Sequence, residues 1–508
     1  CAELVARAAA GGPRAADVEA FLAGCPPAAA LDALAEAGRA GDGALQLVIC
    51  RAMDKVVATE AGDEALRADR ASAEAILAGA RAALAPDAGE VAEPARRLAL
   101  KAVRAHFSRG GDLREGDADG IAPLLCALLE NGDAEDAALA ERALAAMAST
   151  GDSALAQSLL ADTSPLAALV ASSGGANARV RAMSAAVACG GGSPEGAAAL
   201  AASPLLAAIC ASAGDTDDIL ERLNGVELLA QIADGGAAEA CGSVVASTLV
   251  PIVESQASSD APDPSLCPII AAAACRAAKA ATAADAERLV RATATLARRA
   301  AEMGDPGLEA AARDALSYAP AEVVFAIDGV ARGLCGAALG AGARRPLPDV
   351  RAAAAHTLAT LAGADSLAMD VALSPTAEEC LKTAVEGALS ELASPGLGGA
   401  LWWLIERAPS GADGTAQRVG VYRIVRALAL RQWGARGCFA SAELLAALAT
   451  RERDAAGRAA EERQRAANAL RHAAEAAGAT AQALAALGPP SGADDRPVAI
   501  PDVATVTR

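Results

Sequence analysis

Residues 348–363 read PDVRAAAAHTLATLAG, and the fold follows from how this stretch is built. Pro348 suits the first turn of a helix, where its missing N–H has no intrahelical acceptor to lose. Asp349 puts a carboxylate at the positive end of the helix dipole. Val350, Ala354, Leu358 and Leu361 then recur at steps of four and three, which is one apolar stripe on an α-helix. Gly363 closes it, as glycine commonly does at a helix C-terminus. A single helix with one such stripe has to bury it against a neighbour.

The same segment recurs along the chain. Copies read PARRLALKAVRAHF from Pro94, DAALAERALAAMAST from Asp136, ARVRAMSAAVACGG from Ala178, DILERLNGVELLAQIADG from Asp218 and GLEAAARDALSYAP from Gly307. Aligning Arg96, Leu139, Val180, Leu220, Leu308 and Val350 gives steps of 43, 41, 40, 88 and 42. The longest step is two units, with the degenerate copy PSLCPIIAAAACRAAKA around Leu266 between them. A period of about 40–47 residues belongs to armadillo and HEAT repeats, and is too long for tetratricopeptide or ankyrin repeats. A second helix lies between copies. TSPLAALVASSG from Thr163 and ASPLLAAICASAG from Ala202 are near-duplicates at matching phase, each opened by Ser-Pro as cap and first residue. The expected fold is an all-α superhelical solenoid of stacked armadillo/HEAT-type repeats over residues 1–480, with 481–508 a disordered tail. Arg453 to Gly478 carries mixed charge and reads as an exposed terminal helix, and Ser255 to Pro264 as a loop.

Composition agrees. The 508 residues are 54% hydrophobic but only 2% aromatic, so the core is built from small side chains that let helices approach closely. Ala leads the helix-propensity ranking, which argues against a β fold. Lys and Arg number 44 against 63 Asp and Glu, for a net charge of −19. That balance disfavours nucleic acid and anionic membrane as partners. The tempting apolar run Gly196 to Gly214 is broken by Pro204, so no membrane span is expected. Twelve Cys lie scattered without a C-x-x-C, most in Ala/Leu-rich helical contexts, where they act as small buried hydrophobes. A reducing compartment is expected, the cytoplasm first and the nucleus second.

The search for chemistry returns negatives. None of the four Lys (Lys55, Lys101, Lys279, Lys382) follows a Gly, so no phosphate-binding P-loop exists. His106, His356 and His472 lie far apart, without the paired spacing that zinc needs. No G-x-S-x-G elbow occurs, and no Cys has a local His partner signature. CGGGSPEG from Cys189 follows a helix rather than a strand and reads as a helix terminator and turn. No enzyme activity, cofactor or metal is expected. The adjacent Trp402 and Trp403 remain, with Arg407 one turn on. They have two readings: a plug where the repeats turn irregular, or a hot-spot anchor for a protein partner. The Arg repeated at the second position of the copies (Arg181, Arg351) reads as an intramolecular ladder.

The order of segments in the second half resembles the 26S proteasome non-ATPase regulatory subunit 5 family, the assembly chaperones of the regulatory-particle base. The resemblance lies in PDVRAAAAHTLATLAG from Pro348, ALSPTAEECLKTAVEG from Ala372, VYRIVRALAL from Val421 and SAELLAALATRERD from Ser441. DILERLNGVELLAQIADGG followed by GSVVASTLVPIVESQASSD is similar to that family's mid-chain repeat and the loop after it. It implies an armadillo/HEAT solenoid that holds the C-terminal domain of one base ATPase subunit until the base is assembled. It carries over no catalytic residue. The alternative is a generic armadillo adaptor in transport or cytoskeletal assembly, and the least favoured is an enzyme with an unrecognised site.

Overall fold

A computed structural model describes residues 93–108 and 120–487, apart from 173–174, 342–345, 366–372, 393–395, 410 and 451–456, together with a few positions between 33 and 84. The described residues contain helices and turns and no strand. The chain divides into two compact units, Cys1–Thr248 and Leu249–Arg508.

In the first unit the helices are α1 (Glu93–Phe107), α2 (Ala122–Asn131), α3 (Ala134–Ala148), α4 (Ser153–Leu160), α5 (Pro165–Ala171), α6 (Ala176–Gly191), α7 (Pro194–Ala201), α8 (Pro204–Gly214) and α9 (Ile219–Asp234). Helix α10 (Ala238–Ser258) contains the boundary and extends into the stretch that the sequence suggested as a loop. The repeat copies form one row, in which α1 packs on α3, α3 on α6 and α6 on α9. A companion row sets α2 against α5, α5 against α8 and α4 against α7. This is the HEAT-type pattern in which each helical hairpin buries its apolar stripe on the next.

The Ser-Pro junctions do two jobs. Ser193 Oγ accepts from Gly196 N–H at 3.0 Å and donates to the Ala148 carbonyl at 3.1 Å. Ser203 likewise caps Leu205 at 3.1 Å and donates to the Leu160 carbonyl one repeat earlier. Each serine thus starts its own helix and ties it to the previous hairpin. Arg181 Nη1 donates to the carbonyls of Leu129 (3.2 Å) and Gly132 (2.9 Å), where α2 ends without intrahelical partners. Arg351 Nη2 reaches the Pro346 carbonyl at 3.0 Å, so both arginines work within the fold. One phase differs from the sequence alignment: Leu220 is 68% exposed, because α9 packs chiefly on α8 through a face that begins at Gly225 and Val226.

Two apolar stretches of this unit have the length and hydropathy of a membrane span, and both are broken. Residues 153–171 form α4 and α5 around a turn at 161–164, and α7 and α8 meet at 65°. Their leucines, among them Leu159, Leu160, Leu166, Leu200 and Leu205, are buried in the stack.

The second unit continues the pattern with α11 (Cys267–Ala277), α12 (Ala283–Met303), α13 (Pro306–Ala315), α14 (Ala321–Ala326), α15 (Asp328–Leu339), α16 (Pro348–Leu361), α17 (Pro375–Glu391), α18 (Leu397–Glu406), α19 (Ala412–Ala429), α20 (Gln432–Phe439), α21 (Ala442–Ala449), α22 (Gly457–Ala477) and α23 (Ala481–Ala486). Its central row runs α11, α13, α16, α19, α22, each packed on the next. Two expectations change here. Helix α22 is an interior rung and not an exposed terminal helix, since Ala459, Glu462, Arg463, Ala466, Ala467 and Leu470 are buried on it. Its charges fit because Arg463 Nη1 donates to the Leu448 (3.2 Å) and Thr450 (2.6 Å) carbonyls. The folded chain also runs past 480: α23 packs on α21 and Leu487 is 1% exposed. The rest of the expected tail, 488–508, lies outside the described residues, as does most of 1–92.

Candidate partner-binding groove

Helix α18 decides what becomes of the tryptophan pair. Its buried residues are Leu397, Gly398, Ala400, Leu401, Leu404 and Ile405, a stripe at three- and four-residue steps. Successive helical residues point about 100° apart, so with Leu401 and Leu404 in the core the two positions between them turn away from it. Trp402 and Trp403 accordingly end half-buried, lining a groove of about 760 Å³ in the second unit. Aliphatic side chains fill the core face of α18, and the indoles line the groove.

The floor and far wall come from elsewhere in the unit. Gly340 at the end of α15, Leu392 after α17, Gly437 and Ala440 on α20, and Ser441 and Glu443 at the start of α21 complete the lining. Glycine is required where these helices meet. A Cβ on Gly398 would lie 2.6 Å from Ser441 Cβ, and one on Gly437 would lie 2.9 Å from a Leu397 methyl. Gln417, fully buried on α19, donates through Nε2 to the Leu404 carbonyl at 3.2 Å and fixes the end of α18.

Polar groups sit at the rim. The Arg407 guanidinium lies over the Trp403 ring, 5.9 Å from its centroid, a cation–π contact. Ser441 caps α21 by accepting from Leu444 N–H at 3.2 Å and donates to Glu443 Oε2 at 3.0 Å. The backbone N–H of Glu443 and then the Ser441 hydroxyl hold its carboxyl below the usual range, so this exposed group is an anion at neutral pH. The groove thus offers two aromatic faces and half-buried glycine backbone beside one fixed negative charge. Of its lining, the run GLGGALWW was visible in the sequence, whereas the return of 437–443 to face it was not.

Burial pushes the thiols of Cys126, Cys275, Cys335 and Cys438 up to about 12, which leaves them protonated and inert. Among the described residues no three His, Cys, Asp or Glu converge as metal ligands would. His356 rests against the Arg423 guanidinium, and His106 stacks edge-on against Phe107 with ring centroids 5.1 Å apart.

Comparison with protein-family models gave no match, and comparison with curated proteins gave none either. Solved structures do match. Importin beta superposes with a TM-score of 0.57 at 14% identity, over 88% of this chain and 52% of that one. A Kap121p mutant gives the same TM-score at 12% identity, over 88% of this chain and 45% of that one. An engineered protein covers 82% of this chain and 98% of its own at 19% identity, with a TM-score of 0.39. This chain spans about half the length of importin beta and of Kap121p. Both are HEAT-repeat solenoids, and the likeness shows that this chain has the same all-α repeat fold.

Proposed function

We propose that this chain is a protein-binding adaptor that grips an extended apolar segment of a partner between Trp402, Trp403 and the start of α21. The carrying observation is that the two largest side chains of α18 are turned out of the core to line an open groove. Half-buried tryptophans flanked by an arginine are the residue types that dominate interface energetics. The helices around them are locked by glycine contacts and by Gln417, so binding needs little rearrangement. The scaffold acts in the cytoplasm and performs no turnover of its own.

Affinity capture from native cells tests this reading. Trp402→Ala, with circular dichroism matching the parent, is expected to weaken capture of the specific partner about 30-fold, the loss of one hot-spot side chain. Capture of the same proteins at the same strength by the variant would refute the groove as the binding site.

The finer reading, a proteasome base assembly chaperone, is supported by the sequence resemblance and by the order of its segments. The stretches from Pro348, Ala372, Val421 and Ser441 form α16, α17, α19 and α21, and the last of these supplies Ser441 and Glu443 to the groove. The structural likeness to importin beta and Kap121p favours the general adaptor instead. The same capture separates the two. Base ATPase subunits without core-particle subunits support the chaperone, and unrelated clients support the adaptor.

A further inference from the structure

The described chain ends on a helix that packs against one of the groove-lining helices. Helix α23 packs on α21, and α21 begins at the groove rim. Leu487 is anchored on α22, buried itself and with its carbonyl accepting from Arg471 Nη2 at 2.7 Å. Helix α21 has eight residues and so spans about 12 Å. The residues from 488 to 495 reach roughly 26 Å when extended, more than the length of that helix.

The segment beyond this linker is chemically matched to the groove. Residues 494–503 read DDRPVAIPDV. Proline at 497 and 501 biases the residue before each toward extended geometry, and such segments dock on aromatic-lined grooves at low entropic cost. Val498 and Ile500 are the bulky apolar side chains of this run's centre, and Arg496 precedes them as Glu443 borders the tryptophans. A run of Pro, Val, Ala and Ile gains from burial against indole faces, and the flanking arginine sets its direction.

We propose that residues 496–501 (RPVAIP) dock in the Trp402/Trp403 groove of their own molecule and are displaced when a protein partner enters. Displacement rests on the partner reading above; occupancy by the tail does not. Intramolecular docking through a short linker works against an effective concentration on the order of 1 mM. A peptide that binds in trans with a Kd of about 0.1 mM is therefore bound roughly nine parts in ten in the intact chain.

The test uses the full chain with Val498→Asp and Ile500→Asp together. Acrylamide quenching of tryptophan emission is compared with the parent. The expected result is a rise of roughly twofold in the quenching constant, as two indole faces open to solvent. A synthetic peptide of residues 490–508 is expected to restore the parental value with a Kd near 0.1 mM, on the order set by that effective concentration. Equal quenching in parent and variant overturns the proposal, as does absence of peptide binding at about 1 mM. Protection that grows with chain concentration, together with a dimer in light scattering, also overturns it, since the occupant is then a second copy. The partner reading fails separately: a variant that exposes the tryptophans but captures no more partner than the parent retains the tail contact and removes the competition.

Discussion

The rows α3–α6–α9 and α16–α19–α22 solve one packing problem with opposite materials. In the first, the buried faces are mostly Ala, Leu, Met and Val, with one buried carboxylate, Asp136, met by Arg96 and Arg97 of α1. Polar contacts between the three rungs are few: Ser184 Oγ to Glu141 at 3.0 Å and Arg179 to Glu221 at 3.3 Å. Close approach is set by small residues. A Cβ on Gly225 of α9 would stand 2.3 Å from the backbone nitrogen of Ala213 on α8. In the second row the central rung α19 buries Gln417, Arg418, Tyr422 and Arg423, and α22 buries Glu462 and Arg463. Burying a guanidinium is costly unless its donors are met. Arg423 meets them with Thr360 Oγ1 at 2.9 Å, the Asp365 carboxylate and His356. Arg431, 4% exposed, takes the carbonyls of Ala362 and Ala427, both at 2.8 Å. Small residues permit contact anywhere along a helix, whereas arginine clamps permit only one register. The groove is built on α18, α20 and α21, which pack against this register-specified row.

The largest effect that would break this comparison is expected at Arg423. Arg423→Met keeps the volume of the stem but removes the guanidinium's hydrogen bonds to Thr360 and Asp365, which keep the one between themselves. Asp365 is half exposed and turns to water, so the cost is below that of a fully buried pair, about 3 kcal/mol. All three tryptophans of the chain, Trp402, Trp403 and Trp433, lie in the second unit, so urea unfolding followed by their emission reports on this row. A change below about 0.5 kcal/mol would mean that the clamp adds no stability, only geometry.

These two solutions were unequally legible. The row of repeat copies was readable because a stripe of Val350, Ala354, Leu358 and Leu361 announces both a helix and its buried face, and a 40-residue period announces a stack. The clamp row hid because charge in a sequence normally means solvent. Arg463 and Glu462 made α22 look exposed, and only the neighbouring carbonyls of Leu448 and Thr450 reverse that. Leu220 misled in the opposite sense, since an apolar residue in a helix's first turn stays outside when the packed face begins further on. For the groove, Trp402, Trp403 and Arg407 stood out by rarity and position, and the helical angle between the tryptophans was available. Glu443 was not, because its approach to them depends on how α18, α20 and α21 pack.

A smaller effect sharpens the small-residue side. Gly225→Ala adds one methyl where two helix backbones touch, and no flexible side chain there can move aside. The expected cost is about 2 kcal/mol, which quickens amide exchange in peptides covering α8 and α9 by roughly 30-fold. Unchanged exchange would show that these helices separate freely, and close approach would no longer distinguish this row.

The smallest effect is a dependence on pH in the clamp row. His356 is half-buried on α16, and the groups facing it are Arg423 from α19, Asp314 from α13, Asp365 from the turn after α16 and Arg458 from α22. Burial, and then the Arg423 charge, push its pKa below the ordinary 6.5, outweighing the two carboxylates. Above pH 6.5 the ring is neutral in folded and unfolded chains alike and contributes no pH slope. As pH falls below 6.5, the unfolded chain takes up the proton first, so stability declines until the folded pKa is passed and then levels off. The tryptophan-reported unfolding free energy is expected to show this downward slope in the parent. In His356→Gln, which keeps a polar group beside Arg423 without a titrating ring, the difference between the two profiles should close at neutral pH and open below 6.5. Profiles that run parallel through that window would mean that neither burial nor the guanidinium lowers the ring's pKa, and that the register of this row is held by Thr360 and Asp365 without it.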